Sequence, residues 1–178
     1  MARIYALFAD ILDYPAANVF GKAQELHDLL EAEAAEAAPP FNEFKRRIHG
    51  MSLGQLQEAY TRTFDLQPDC TPNLGCHLFG DDVRRNIFMV QLKERMERCH
   101  IETGVELPDH FSLVLRLFDA LDSAEEQQVL AEDCLIPGLG HILSVLNQGE
   151  DIAVYAPALQ ALLILLGVKM RTEKVVPA

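Results

Sequence analysis

The sequence predicts an all-α protein, a single-domain bundle of seven to eight helices. Three observations carry that expectation. Apolar residues recur at helical spacing almost from end to end. No run of alternating residues reads as a strand. The 178 residues fit one domain, and 49% are hydrophobic, enough for one core without a disulfide or metal to hold it.

Each helix can be justified in order. Ile4, Leu7, Phe8, Ile11 and Leu12 share one face, and the "DYP" at 13–15 closes that helix, because proline disfavours helical geometry in the residue before it. A second helix is expected over 17–37, with Val19, Ala23, Leu26 and Leu30 inward and a break at Pro39–Pro40. A short helix over 41–49 follows. Ser52 then caps a stripe of Leu53, Leu56, Tyr60 and Phe64. From Asp65 to His77 the helical period is lost, and Pro68, Pro72 and Gly75 mark an irregular connection.

The next helix starts near Asp81 and Asp82, whose charges complement a helix N-terminus. Its stripe is Phe88, Leu92, Met96 and Cys99, widened by Val83, Ile87 and Val90. Pro108 suits the first turn of the helix carrying Phe111, Val114, Leu115, Phe118 and Leu121. Ser123 caps another, which Pro137 and Gly138 should kink or split. The last helix is apolar on nearly every face over 161–166, as a central helix would be. The tail, about 171–178, is expected to be flexible.

Charge narrows the function. With 27 acidic and 15 basic residues the net charge is −12, which disfavours nucleic acid and favours a basic peptide or protein face. The four cysteines form no CxxC pair and read as free thiols in a reducing compartment. The N-terminus lacks the features of a secretory leader, and "APALQALLILLGV" is shorter than the roughly 20 residues needed to cross a bilayer. A cytoplasmic location and no stable membrane insertion are expected. Signatures for nucleotide binding, zinc proteases and serine hydrolases are absent.

Two stretches stand apart. "CTPNLGCHLFGDD" (70–82) offers Cys70, Cys76 and His77 to a metal, but structural zinc commonly uses four ligands in closely spaced pairs. The plainer reading makes Cys70 a loop thiol and Cys76 a small buried hydrophobe. "ELPDHF" (106–111) gathers Glu106, Asp109 and His110 at a helix start, where Asp109 could satisfy first-turn amides and His110 would stay neutral.

"YTRTFDL" (60–66), "HLFGDDVRR" (77–85) and "ELPDHFSLVLRLF" (106–118), in that order, resemble the NarJ branch of the TorD/DmsD molybdoenzyme assembly chaperones. "LFADILDYP" also resembles that family's opening helix. The likeness spans about residues 4–166 and is specific over 58–118. It departs from the NarJ pattern at "PNLGCH", where aromatics usually precede the histidine, and at Asn86, where a glycine is usual.

The resemblance implies a cytoplasmic chaperone, not an enzyme, with no cofactor of its own. Its partner would be the N-terminal signal peptide of a type II molybdoenzyme catalytic subunit, nitrate reductase or a relative, held back from export or membrane attachment until molybdenum cofactor is loaded. The residues carried over to peptide binding are Tyr60, Phe64, Asp65, His77, Gly80, Asp81, Glu106, Pro108, Asp109, His110 and Phe111. The groove is expected where the 65–77 loop meets the helix beginning at 108, with Gly80 making a turn and Asp81 capping the next helix. Changing Asp109 or His110 should then weaken binding more than folding. A homodimer is left open, because helical acidic domains can swap elements. The alternatives are a Cys/His metal or redox protein and a permanent helical subunit of a complex.

Overall fold

The computed structural model describes residues 2–148 and 153–175, with side chains over 3–148 and 153–170. The helices are α1 (Ala2–Ile11), α2 (Val19–Glu33), α3 (Ala38–Ile48), α4 (Leu53–Tyr60), α5 (Leu74–Phe79), α6 (Arg84–Arg98), α7 (Phe111–Ala120), α8 (Ala124–Leu130), α9 (Ile136–Leu146) and α10 (Ala156–Val175). A wide turn, Thr61–Asp65, prolongs α4, and another, Ala131–Leu135, fuses α8 to α9. Counting α8–α9 as one, the described residues hold nine helices and no strand, so the all-α bundle stands with one helix more than expected.

The extra helix is α5, inside the stretch read as irregular. Six residues are too few to display a 3.6-residue period, and among them only Leu74 and Gly75 are buried. Pro39 and Pro40 open α3 rather than break α2, which ends at Glu33. Proline lacks the amide that a first turn leaves unused anyway. Pro137 likewise sits in the first turn of α9, and the wide turn before it keeps the helix continuous instead of splitting it. Ser52 makes the expected cap, its Oγ accepting from Gln55 N at 3.3 Å while Gln55 Oε1 accepts from Ser52 N at 2.8 Å.

α1 lies on α7 and α2, α10 lies on α3 and α9, and α5 lies on α6 and α9. Rings knit the centre: Phe64 stands 5.2 Å from Tyr155 and 5.3 Å from Phe111, and Tyr60 stands 4.9 Å from Phe64. Each such pair contributes about 0.5–1.5 kcal/mol beyond area burial. One helix, Ala124–Leu146, is long and apolar enough to cross a membrane. Its Leu130, Leu135, Leu139 and Ile142 are buried in the bundle, as in the core helix of a folded domain. Of the tail, helix α10 runs on to Val175, and 176–178 lie outside the described residues.

Candidate functional site

The three motifs meet at one corner, and the backbone closes it. Asn73 pairs with His110 as an isolated antiparallel bridge. Leu74 N donates to Asp109 O at 2.8 Å, and Phe111 N donates to Pro72 O at 2.9 Å. The seam expected to be a groove is therefore zipped shut by hydrogen bonds, which buried amides require.

Side chains complete the knot. Asp109 is fully buried and accepts from Asn73 Nδ2 and from Arg85 Nε, both at 2.9 Å. Burial works against the Arg85 charge, yet the Asp109 carboxylate beside it more than compensates and raises its pKa. Asp109 does not cap α7. His110 does: its Nδ1 accepts from Ser112 N at 3.3 Å and lies 2.8 Å from Ser112 Oγ. That leaves the proton on Nε2, which faces Tyr60 Oη at 3.5 Å. Pro108 stays in the turn before the helix, which starts at Phe111.

The sequence-derived residues thus divide by exposure. Tyr60, Phe64, Asp109, His110 and Phe111 are buried. Asp65, Gly80, Asp81 and Glu106 are exposed, and His77 and Pro108 are half-buried. Asp109 and His110 are accordingly framework, and replacing them must cost folding as well as any binding. Gly80 does make the expected turn, at φ 59°, where side chains are disfavoured although nothing would crowd one. The acid at the start of α6 is Asp82, whose Oδ1 accepts from Arg84 N at 2.8 Å, and not Asp81.

The cysteines also differ from expectation. Cys70 is the buried one, its Sγ 3.4 Å from Gln67 Oε1, and Cys76 is half-buried. His77 Nε2 donates to Thr71 O at 2.7 Å, and burial pushes its pKa down. Burial pushes the Cys134 thiol up to about 12. Among the described residues no group of three or more His, Cys, Asp or Glu side chains is arranged to hold a metal ion.

Beside the knot lies an open surface. Asp13, Asp65, Glu106 and Asp109 all act on the His110 imidazole, yet burial dominates and holds its pKa below the ordinary value. Burial first, then Asp13, Asp65, Tyr155 and Glu106, drive the Tyr60 phenol far up. Three carboxylates from three separate segments therefore converge outside Tyr60 and His110. Each has an exposed apolar neighbour in the chain: Tyr14 beside Asp13, at 52%, Leu66 beside Asp65, at 70%, and Leu107 beside Glu106, at 47% exposure.

The Tyr14 ring meets the Tyr60 ring edge-on at 5.5 Å, and Gln57 Nε2 holds Pro15 O at 2.9 Å, so the end of α1 is fixed against α4. Arg116 reaches Asp13 at 3.6 Å and offsets part of its charge. A cleft of about 520 Å³ opens here, lined by Tyr14, Gln57, Thr61 and Leu66 among others. A larger one, about 750 Å³, follows the end of α6 but is lined only by Gln91, Glu94, Arg95, Glu97 and Arg98. Sequence reasoning missed Asp13, Tyr14, Leu66 and Leu107. The signal was present, since each lies inside a stretch it did single out.

The class is that of all-α proteins whose motif residues are tied into one buried corner, with acidic and apolar side chains exposed beside it. The family model described as nitrate reductase delta subunit matches residues 27–148. The chain belongs to that family, the NarJ-type assembly chaperones that act on nitrate reductase without catalysing its reaction. None of the curated proteins matches it.

Proposed function

We propose that this protein binds the N-terminal leader of a type II molybdoenzyme catalytic subunit, in the cytoplasm, and keeps it from export or membrane attachment while cofactor is inserted. The observation that supports this reading is that Asp13, Asp65 and Glu106 all lie close enough to act on Tyr60 and His110, and that each has an exposed apolar neighbour in the chain, Tyr14, Leu66 and Leu107. Apolar contacts supply affinity and the carboxylates select basic residues in the leader. The peptide-binding role assigned to the buried motif residues is then indirect. Tyr60, Phe64, Asp109, His110 and Phe111 hold the surface that Asp65 and Glu106 present, while His77, Gly80, Asp81 and Pro108 shape the adjoining turns.

A synthetic leader from the host's own catalytic subunit provides the test, titrated against wild type, Glu106→Lys, Asp65→Lys and Tyr14→Ala. All three positions are exposed, so melting temperatures should stay within a few degrees. Each charge reversal should weaken binding about tenfold or more, equivalent to about 1.4 kcal/mol. Unchanged affinity in all three variants would move the site elsewhere. Failure of the wild type to bind the leader at all would remove the function. Stable co-purification with the mature, active complex would favour a permanent subunit instead.

A further inference from the structure

The outer face of α6 differs in sign and character from the rest of this acidic molecule. From Arg84 to Arg98 the helix carries five basic residues against two acidic ones, and of the five only Arg85 turns inward to the buried Asp109. Val83, Ile87 and Val90 were expected to widen its buried stripe. They point the other way, at 67%, 57% and 57% exposure. At about 100° per residue they fall within one narrow arc, opposite the buried Leu92 and Met96. Arg85, bonded to the buried Asp109, fixes the helix so that the stripe faces outward.

We propose that this stripe pairs with the same stripe of a second copy, the two helices antiparallel and crossing at Ile87. The arrangement of charge favours this occupant. Acids precede the stripe (Asp81, Asp82) and a base, Lys93, follows it at the end of the overlap. Antiparallel crossing lays Val83 and Val90 over Val90 and Val83 of the second copy. It also brings Asp81 toward the second copy's Lys93, and neither has an ion-pair partner among the described residues of its own chain. The flanks of the overlap are the neutral Asn86 and Gln91 and the Arg84 already paired with Asp82, and the antiparallel crossing sets Arg84 near Gln91 and Val90 of the second copy rather than against another cation. Glu94 and Glu97 lie beyond the overlap. A parallel pairing would instead stack Arg84 on Arg84 and Lys93 on Lys93. The antiparallel pair also opposes the two helix dipoles favourably.

Three apolar residues a side make a small contact, of the kind that forms weak and transient complexes. The mass measured by sedimentation should therefore climb from 19.9 kDa toward twice that value as the full chain is concentrated from ~10 µM to ~1 mM. Ile87→Glu should remain monomeric throughout while melting as the wild type does, because the side chain is exposed. Ile87→Cys, lying at the crossing, should be joined to a second copy by a short bis-maleimide several-fold faster than Val129→Cys, an exposed valine on α8. A wild type that stays monomeric at ~1 mM, an Ile87→Glu variant that still dimerises, or equal cross-linking of the two cysteine variants would each overturn the proposal. So would a monomeric wild type whose leader binding is weakened by Ile87→Glu, since the stripe would then belong to the client.

Discussion

Asp109 shows how much one residue can hold. Its carboxylate has no contact with solvent, and two donors, Asn73 and Arg85, satisfy it. Removing the cation while keeping the stem, as in Arg85→Met, leaves a buried charge without its counter-ion and should destabilise by about 3 kcal/mol. Asp109→Asn removes the charge itself and should cost less, about 1–2 kcal/mol. The double variant should be less damaged than the sum of the two. Urea unfolding of all four proteins measures this, and a coupling below about 0.5 kcal/mol would mean that the pair does not act as a unit. The importance of Asp109 and His110 was legible in the sequence, from the family likeness and from their place at a helix start. Their burial was not. Carboxylates are mostly exposed and histidines often so, and what makes burial tolerable here includes partners distant in sequence, Asn73 and Arg85 for Asp109 and Tyr60 for His110, beside the local Ser112.

Helices were legible wherever they were long enough to repeat their apolar face, and obscure where they were short or peripheral. α5 shows no period because its six residues make fewer than two turns. The face of α6 was misread because Val83, Ile87 and Val90 keep helical spacing with one another, and spacing alone does not say which of two apolar stripes is inside. Glycines report how closely such elements meet. A Cβ on Gly75 of α5 would lie 2.6 Å from Asp109 Oδ2 and 3.0 Å from Arg85 Cγ. Gly75→Ala should therefore wedge the corner open at a cost of about 1–3 kcal/mol. On Gly138 of α9 the obstacle is Leu74 Cδ2 at 2.7 Å, the end of a flexible side chain that can turn aside. On Gly54 of α4 nothing lies within 4 Å, and alanine there should be neutral or stabilising by up to about 1 kcal/mol. Thermal melts of the three alanine variants should rank them Gly75, Gly138, Gly54 from most to least damaged. Any other order would show that α5 does not pack against the corner this closely.

At the scale of the whole molecule, burial and charge set how the bundle answers to pH. His110 and His77 both have pKa values below the ordinary 6.5, in each case chiefly because burial penalises the charged ring. The carboxylates facing His110 (Asp13 after α1, Asp65 after α4, Glu106 and Asp109 before α7) oppose that effect without overcoming it. For His77 the Thr71 carbonyl, Asp69 and Asp109 oppose it, while the neighbouring His141 adds to it. Below pH 6.5 the unfolded chain takes up protons at these positions and the native chain resists doing so. The unfolded state then binds more protons, so stability rises with pH across this window and is lost as pH falls. Each histidine can contribute a slope of at most about 1.4 kcal/mol per pH unit. Asp10 behaves differently. Burial alone would raise its pKa, but Lys22 and Arg116, at 2.6 and 2.7 Å, lower it, and its contribution is lost only as pH falls below the ordinary 3.8. Denaturant unfolding should therefore weaken between pH 7 and 5, before any carboxylate kept ionised by its partners is protonated. His110→Gln and His77→Gln should each flatten that decline while lowering stability at pH 7, where the neutral rings still make their hydrogen bonds. A stability that is level from pH 7.5 to 5.5, or an undiminished slope in both variants, would contradict the burial of these two rings and with it the closed corner on which the exposed surface stands.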